Sequence, residues 1–83
     1  MDGLTYGQAL VSLKEGRKVA REGWNGKGMW LVLVEEMELF VDGIMTPFKT
    51  KPFIAMKCVD GEIVPWLASQ TDMLAEDWAE ISV

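Results

Sequence analysis

The first part of the chain carries a helical period. Tyr6, Ala9, Leu10 and Leu13 recur at the i, i+3, i+4, i+7 spacing of one apolar helix face. Thr5 stands before them as an N-cap, with Gln8 three residues on to complete a capping box, and Gly16 follows as a C′ glycine. The spacing predicts a helix of about ten residues, too short to be stable alone, so it has to dock on other structure. From residue 18 the pattern becomes that of strands. Lys18 to Arg21 reads as a short one, closed by the turn-rich segment Glu22 to Gly28, in which Asn25-Gly26 favours positive φ. Met29 to Val34 is apolar at six successive positions. Because alternate side chains of a strand point to opposite faces, both faces of this one are apolar.

Phe53 to Met56 repeats the pattern, and Asp60-Gly61 turns it back into Glu62 to Trp66 as a hairpin. A last strand, Trp78 to Val83, sets Ala79, Ile81 and Val83 on one side. Residues 35–52 read either as a hairpin around Asp42-Gly43 or as an irregular loop, and Pro47 and Pro52 argue against a central strand there. The expected fold is α+β, one domain over residues 1–83. A short N-terminal helix packs on a small, mostly antiparallel sheet of four to five strands, and a helical turn lies near residues 70–75. One such helix covers one side of the sheet, whereas the two central strands are apolar on both. The second side therefore needs a cover, either another copy of the chain or residues 35–52 folded over it.

With 83 residues, folding buries only about 60–65% of the chain's unfolded surface, which fits a single small domain. No apolar run approaches the length of a membrane span, and Met1 to Leu4 lacks the basic and apolar regions of a secretory signal. The expected location is the cytoplasm, away from membranes. The absence of histidine removes Ser-His and Cys-His nucleophile pairs and His-ligated zinc, so most small-hydrolase mechanisms are excluded. Cys58, the single cysteine, lies in an apolar run and reads as a small buried hydrophobe; neither a cofactor nor a metal is expected. Net charge is −5, unevenly spread: residues 1–28 hold five Lys/Arg against three Asp/Glu, and residues 29–83 hold three against ten. That balance excludes a general DNA or RNA binder, which needs a broad basic surface. A small anionic ligand needs only a few local donors, and Lys14, Arg17, Lys18, Arg21 and Lys27 are candidates, each of which could equally be a solvated surface charge.

Two polar segments stand out. In Gly23-Trp24-Asn25-Gly26-Lys27-Gly28 the glycines let backbone approach a ligand, Trp24 offers a stacking face, and amide and ammonium groups can grip polar edges or phosphate. A hairpin whose Trp caps the core fits the same letters equally well. In the run from Pro65 to Trp78, Ser69 and Asp72 form a second capping pattern, so a helical turn begins at Gln70 and brings free N–H groups together with Ser69, Gln70 and Thr71, an arrangement suited to ribose or phosphate. Capping alone is the commoner use of that pattern. Trp30 reads as core or interface; Trp24, Trp66 and Trp78 sit at edges, where an indole can stack a base or anchor a partner. Asp72, Glu76 and Asp77 cluster, but no nucleophile stands paired with a base, so the chain is not expected to be an enzyme.

Thr5 to Leu10, Lys18 to Arg21 leading through Gly23 to Leu31, and above all the fourteen residues from Pro65 to Trp78 resemble the Thoeris anti-defence two family of phages and prophages. The resemblance spans nearly the whole chain apart from residues 35–52. It implies a nucleotide sponge: a small α+β subunit that assembles into homotetramers and binds, without cleaving, glycocyclic ADP-ribose, the signal a bacterial Thoeris system makes from NAD. In some relatives separate sites also hold cyclic oligonucleotides. The expected setting is the cytoplasm of the infected or lysogenic host. Carried over by motif, Trp24, Asn25, Gly26 and Lys27 form one wall of the pocket and Ser69, Gln70, Thr71 and Asp72 another, with local charge from Lys27 or Arg21. The alternative from the residues alone is a non-enzymatic structural or protein-binding module anchored by the same tryptophans.

Overall fold

The computed structural model of the protein describes residues 3–24 and 28–81. Thr5 is extended (φ −75°, ψ 167°), its hydroxyl accepts from the Gln8 N–H at 3.2 Å, and the Gln8 side chain accepts from the Thr5 N–H at 2.9 Å. This reciprocal pair starts helix α1, Tyr6–Lys14. Gly16 ends it at φ +86°, a left-handed conformation that costs glycine nothing, with its N–H bonded to the Leu13 carbonyl. The remaining elements are β1 (Lys18–Arg21), β2 (Trp30–Val41), β3 (Ile44–Lys57), β4 (Ile63–Pro65), α2 (Gln70–Leu74) and β5 (Trp78–Ile81). The strands form one antiparallel sheet in the order β4-β3-β2-β1-β5. The α+β architecture expected from the sequence is the one observed.

Register decides which side chains face the helix. Val19 lies opposite Leu31, and Arg21 opposite Trp78. Leu4, Ala9, Leu13, Val19, Leu31 and Trp78 form the buried core under α1, with Leu33, Ile54 and Met56 packed against it. Trp78 is its largest fully buried side chain. Leu4 is tied to it by a two-way backbone bridge, Leu4 N–H to Trp78 carbonyl at 2.8 Å and the reverse at 3.1 Å. The alternate positions Lys18, Ala20, Trp30, Val32, Ala55, Ala79 and Ile81 lie on the other face, where the Lys18 ammonium sits 5.0 Å from the Trp30 ring centroid. Val83 lies outside the described residues.

Residues 35–52 adopt the hairpin alternative. β2 and β3 extend beyond the sheet as a two-stranded arm, paired from Glu36↔Lys49 to Val41↔Ile44, and the molecule is 44 Å long against 26 and 25 Å across. Asp42 (φ +52°) and Gly43 (φ +79°) both have positive φ, as a two-residue hairpin turn of this handedness requires. The prolines are compatible with this because β4 pairs only with Ala55, Met56 and Lys57, so residues 44–52 form an edge where a missing N–H breaks no ladder bond on the open side. A register shift between Val34 and Glu36 marks the base of the arm. The segment continues the sheet; it does not fold over its second face.

Candidate functional site

Arg21 leaves the end of β1 on the helix side of the sheet, where two carboxylates meet it. Its Nε donates to Asp77 Oδ1 and one terminal nitrogen donates to Asp72 Oδ1, both at 2.9 Å. The three side chains are 18%, 30% and 15% exposed, so these are partly desolvated ion pairs. Asp77 Oδ2 also accepts from the Gly23 N–H at 3.0 Å, which fixes the start of the Trp24 loop. Asp72 Oδ2 accepts from the Ser69 N–H at 3.1 Å and from the Ser69 hydroxyl at 2.8 Å, while Ser69 Oγ accepts from the Asp72 N–H at 3.1 Å. The second predicted capping box is therefore formed, and it starts α2.

These contacts set the local charge. Burial pushes the Asp72 carboxyl up, but the Arg21 hydrogen bond and the two from Ser69 outweigh it and hold the group below the ordinary carboxylate value. The Arg21 hydrogen bond, helped by Gly23, holds Asp77 low against a smaller effect of burial. Asp77 and then Asp72 raise the Arg21 guanidinium further. Tyr6 is pushed up by burial first and by the Asp72 charge second.

Beside this ionic knot lies an aromatic cluster. Trp78 stands edge-on to Trp24 (5.5 Å, 79°) and to Trp66 (6.1 Å, 86°), and Tyr6 lies 5.7 Å from Trp78 and 6.4 Å from Trp66. Trp24 and Trp66 are themselves in edge contact at 6.5 Å. Trp78 is thus a core residue, neither a stacking platform nor an interface anchor. Trp24 and Trp66 keep part of their surface free. The Trp78 indole N–H donates to the Asp72 carbonyl at 3.1 Å, so the cluster is bonded to the α2 cap as well as packed near it.

The predicted site residues divide into three groups. Arg21, Trp24, Ser69 and Asp72 are gathered around one junction of β1, the following loop and α2. Gln70 and Thr71 are exposed on the first turn of α2, and no described residue hydrogen-bonds to their side chains. Asn25, Gly26 and Lys27 lie outside the described residues. Asp77, which the sequence offers only as one of three clustered carboxylates, is the second anchor of Arg21; the two are 56 positions apart, and no spacing rule links them. Arg21 and Trp24 also border a cleft of about 210 Å³ with Ala20, Glu22, Gly28, Met29 and Ile81. Ser69 to Asp72 do not line that cleft. A larger open notch of about 550 Å³ at the arm base is lined by Glu35, Glu36, Lys49, Thr50 and Pro52, whose mixed charge does not favour an anion. Among the described residues, no group of three His, Cys, Asp or Glu side chains is placed to hold a metal ion, and no helix is long and apolar enough to cross a membrane.

The family described as Tad2-like, the Thoeris anti-defense 2-like domain, matches residues 4–81. The chain belongs to this family. A Tad2-like relative from Bacillus phage SP01, described as Thoeris anti-defense 2, is 41% identical over 85 residues, covering 95% of this chain and 96% of that protein. The matched residues include the arm, the Arg21 junction and both capping boxes.

Proposed function

We propose that this protein counters Thoeris defence by sequestration: it binds a cyclic nucleotide signal, glycocyclic ADP-ribose, and holds it without cleaving it. Cyclic oligonucleotides are further candidate ligands of the same class. The observation that carries this reading is the near full-length relationship to Thoeris anti-defense 2 of phage SP01. The site adds a physical rationale. Trp24 offers a partly free indole face, Gln70 and Thr71 offer uncommitted polar groups, and the Arg21 junction holds the two segments in fixed relation. Arg21 itself is neutralised by two carboxylates, so the charge of an anionic ligand falls to backbone N–H groups and to Lys27.

Homotetramer formation is part of the proposal. A cleft of about 210 Å³ is smaller than the roughly 300–1,000 Å³ of small-molecule pockets, so a nucleotide needs further walls, which a second subunit can supply. The sheet face carrying Trp30, Val32, Ala79 and Ile81, opposite the helix, is the natural contact. A second reading, a protein-binding module, draws on the exposed apolar arm.

Native mass spectrometry with glycocyclic ADP-ribose tests sequestration directly. The expected result is a stoichiometric complex whose ligand, released by heat after long incubation, has unchanged mass. Product accumulating beyond the protein concentration would make the protein an enzyme. Calorimetric titration locates the site: Thr71→Ala and Trp24→Ala should both weaken binding. A stacked base is worth about 1–3 kcal/mol, which for Trp24→Ala means roughly ten- to a hundredfold. Unchanged affinity in both variants, with the assembly preserved, would move the pocket elsewhere.

A further inference from the structure

An anionic ligand needs a cation, and the ionic junction does not leave one free. Of the eight Lys/Arg, Arg21 is neutralised by Asp72 and Asp77, and Arg17 is paired with Glu15 and Glu80. The Lys18 ammonium lies over the Trp30 ring. Lys14 belongs to the last turn of α1, Lys49 and Lys51 stand on the arm and at its base, and Lys27 lies outside the described residues. The remaining cation is Lys57, at the end of β3. None of the ion pairs among the described residues involves it.

The fold brings Lys57 to the far end of the segment that holds Trp24. Its Nζ donates to the Gly28 carbonyl at 2.8 Å, and a Cβ on Gly28 would stand 3.5 Å from the same nitrogen, so the ammonium rests against that backbone. Gly28, at φ +93°, borders the cleft of about 210 Å³ together with Arg21 and Trp24. The register leads to the same place. Lys57 lies opposite Trp30, and because Val19 lies opposite Leu31, Ala20 falls beside Trp30 on the same face. Ala20 also borders the cleft, so the row Ala20, Trp30, Lys57 runs from it across β1, β2 and β3. An ammonium has three donors; Gly28 takes one, which leaves two N–H groups and the charge.

We propose that Lys57 is a ligand-binding residue of the Trp24 pocket: its ammonium, held at the Gly28 end of the loop, donates to a phosphate oxygen of the nucleotide while keeping its bond to the Gly28 carbonyl. This inference rests on the sponge reading and names the group that answers the ligand's charge where Arg21 cannot. Three properties suit Lys57 to the task. It is a compact point charge, the form in which lysine serves phosphate. It is half-buried, so its attraction for an anion is screened less than that of an exposed lysine. Its side chain is already held by Gly28, so less rotamer freedom is lost when the ligand arrives. The same ammonium thereby favours a phosphorylated ligand over a neutral nucleoside.

Calorimetric titration of wild type, Lys57→Gln and Lys57→Arg with glycocyclic ADP-ribose, each at two salt concentrations, tests the assignment. The bond to Gly28 is exposed, so both variants should fold and keep the wild-type mass, checked by circular dichroism melts and light scattering. Glutamine keeps an amide donor for Gly28 and loses the charge. Lys57→Gln should weaken binding roughly ten- to a hundredfold, the worth of one charged hydrogen bond, and should lower the slope of log affinity against log salt by about one. Lys57→Arg keeps the charge and should recover most of the affinity and the wild-type slope. A glutamine variant that binds as tightly as wild type, with the same slope, overturns the proposal and leaves Lys57 as a tie on the loop. Equal losses in both variants with the wild-type slope overturn it too, because shape and not charge would then be what matters. Wild type that binds no glycocyclic ADP-ribose refutes the sponge, and this inference with it; wild type that binds while Lys57→Gln is unaffected refutes the lysine's role alone.

Discussion

Replacing Arg21 by methionine keeps the aliphatic stem and removes the one charge that Asp72 and Asp77 share. Two hydrogen bonds of 2.9 Å disappear, and two carboxylates that are 15% and 30% exposed are left without their cation. An exposed pair is worth about 0–1 kcal/mol and breaking a fully buried one costs about 3–5 kcal/mol; at this intermediate burial the loss should be about 3 kcal/mol. Against a total of about 4–12 kcal/mol for a domain of this length, the variant stays folded. Its Tm at pH 7 should fall by roughly 12–24 °C, at about 4–8 °C per kcal/mol. The pH dependence makes the test specific. In wild type both carboxyls are held below their ordinary value of 3.8, so the stability they confer is present above that value and is lost as pH falls through the lower folded values. In the variant the share of stability that Arg21 supplies is already absent at neutral pH, so it cannot be lost as pH falls. The gap in Tm between the two proteins should therefore narrow from pH 7 to pH 3, measured by circular dichroism melts. A gap that stays constant across that range, or one no larger than an exposed pair's worth, would show that Arg21 is a surface charge and that the junction is not held ionically.

Thr5→Ala removes one half of the first capping box and should cost about 1 kcal/mol, read as a Tm lower by about 4–8 °C with ligand affinity unchanged. Gly43→Val places a β-branched side chain at φ +79° and should speed amide hydrogen exchange in the arm while leaving exchange at Val19 and Leu31 slow; uniform acceleration would mean that arm and core open together. Ligand affinity should fall only gently with added salt, because only one or two cationic contacts are proposed for the pocket; a steep slope would reveal an extended set of charged contacts and refute that reading.

Local chemistry was the part that could be read from the chain. Both capping boxes are written in contiguous letters and close as expected, and β1 is found at Lys18–Arg21 as predicted. The arm was undecided because Pro47 and Pro52 speak against a strand only if that strand has neighbours on both sides, and whether it does depends on where β4 stops pairing, a tertiary fact. Arg21 was visible as a cation, but its neutralisation was not: Asp72 and Asp77 reach it only after β1 and β5 are paired. Trp78 looked like an edge tryptophan because it opens a short strand directly after Glu76 and Asp77; its burial comes from Leu4 and α1 packing over it. The resemblance implies that the Trp24 loop and the α2 cap are two walls of one pocket; the Arg21 junction ties Arg21 and Gly23 to Asp72 and Asp77, while Ser69 to Asp72 do not line the cleft that Trp24 borders.

The sheet order also constrains how the chain finds its fold. β2 and β3 are joined by a two-residue turn and can pair at once, on the microsecond scale of isolated hairpins. The core cannot form with them. Its largest side chain, Trp78, belongs to the strand that lies beside β1, and its backbone bridge is to Leu4, more than seventy positions away. Closing that loop is an entropic cost met before Trp78 contributes its core contacts. The transition state is thus expected to bring β5 against β1, with the hairpin already formed and contributing little to the barrier. Substitutions at Asp42 and Gly43 should shift the pre-equilibrium, whereas Trp78→Phe should slow folding itself. In the interval before closure the arm's apolar face is already assembled while the core under α1 still lacks Trp78, which makes the nascent hairpin the segment most exposed to premature association between chains.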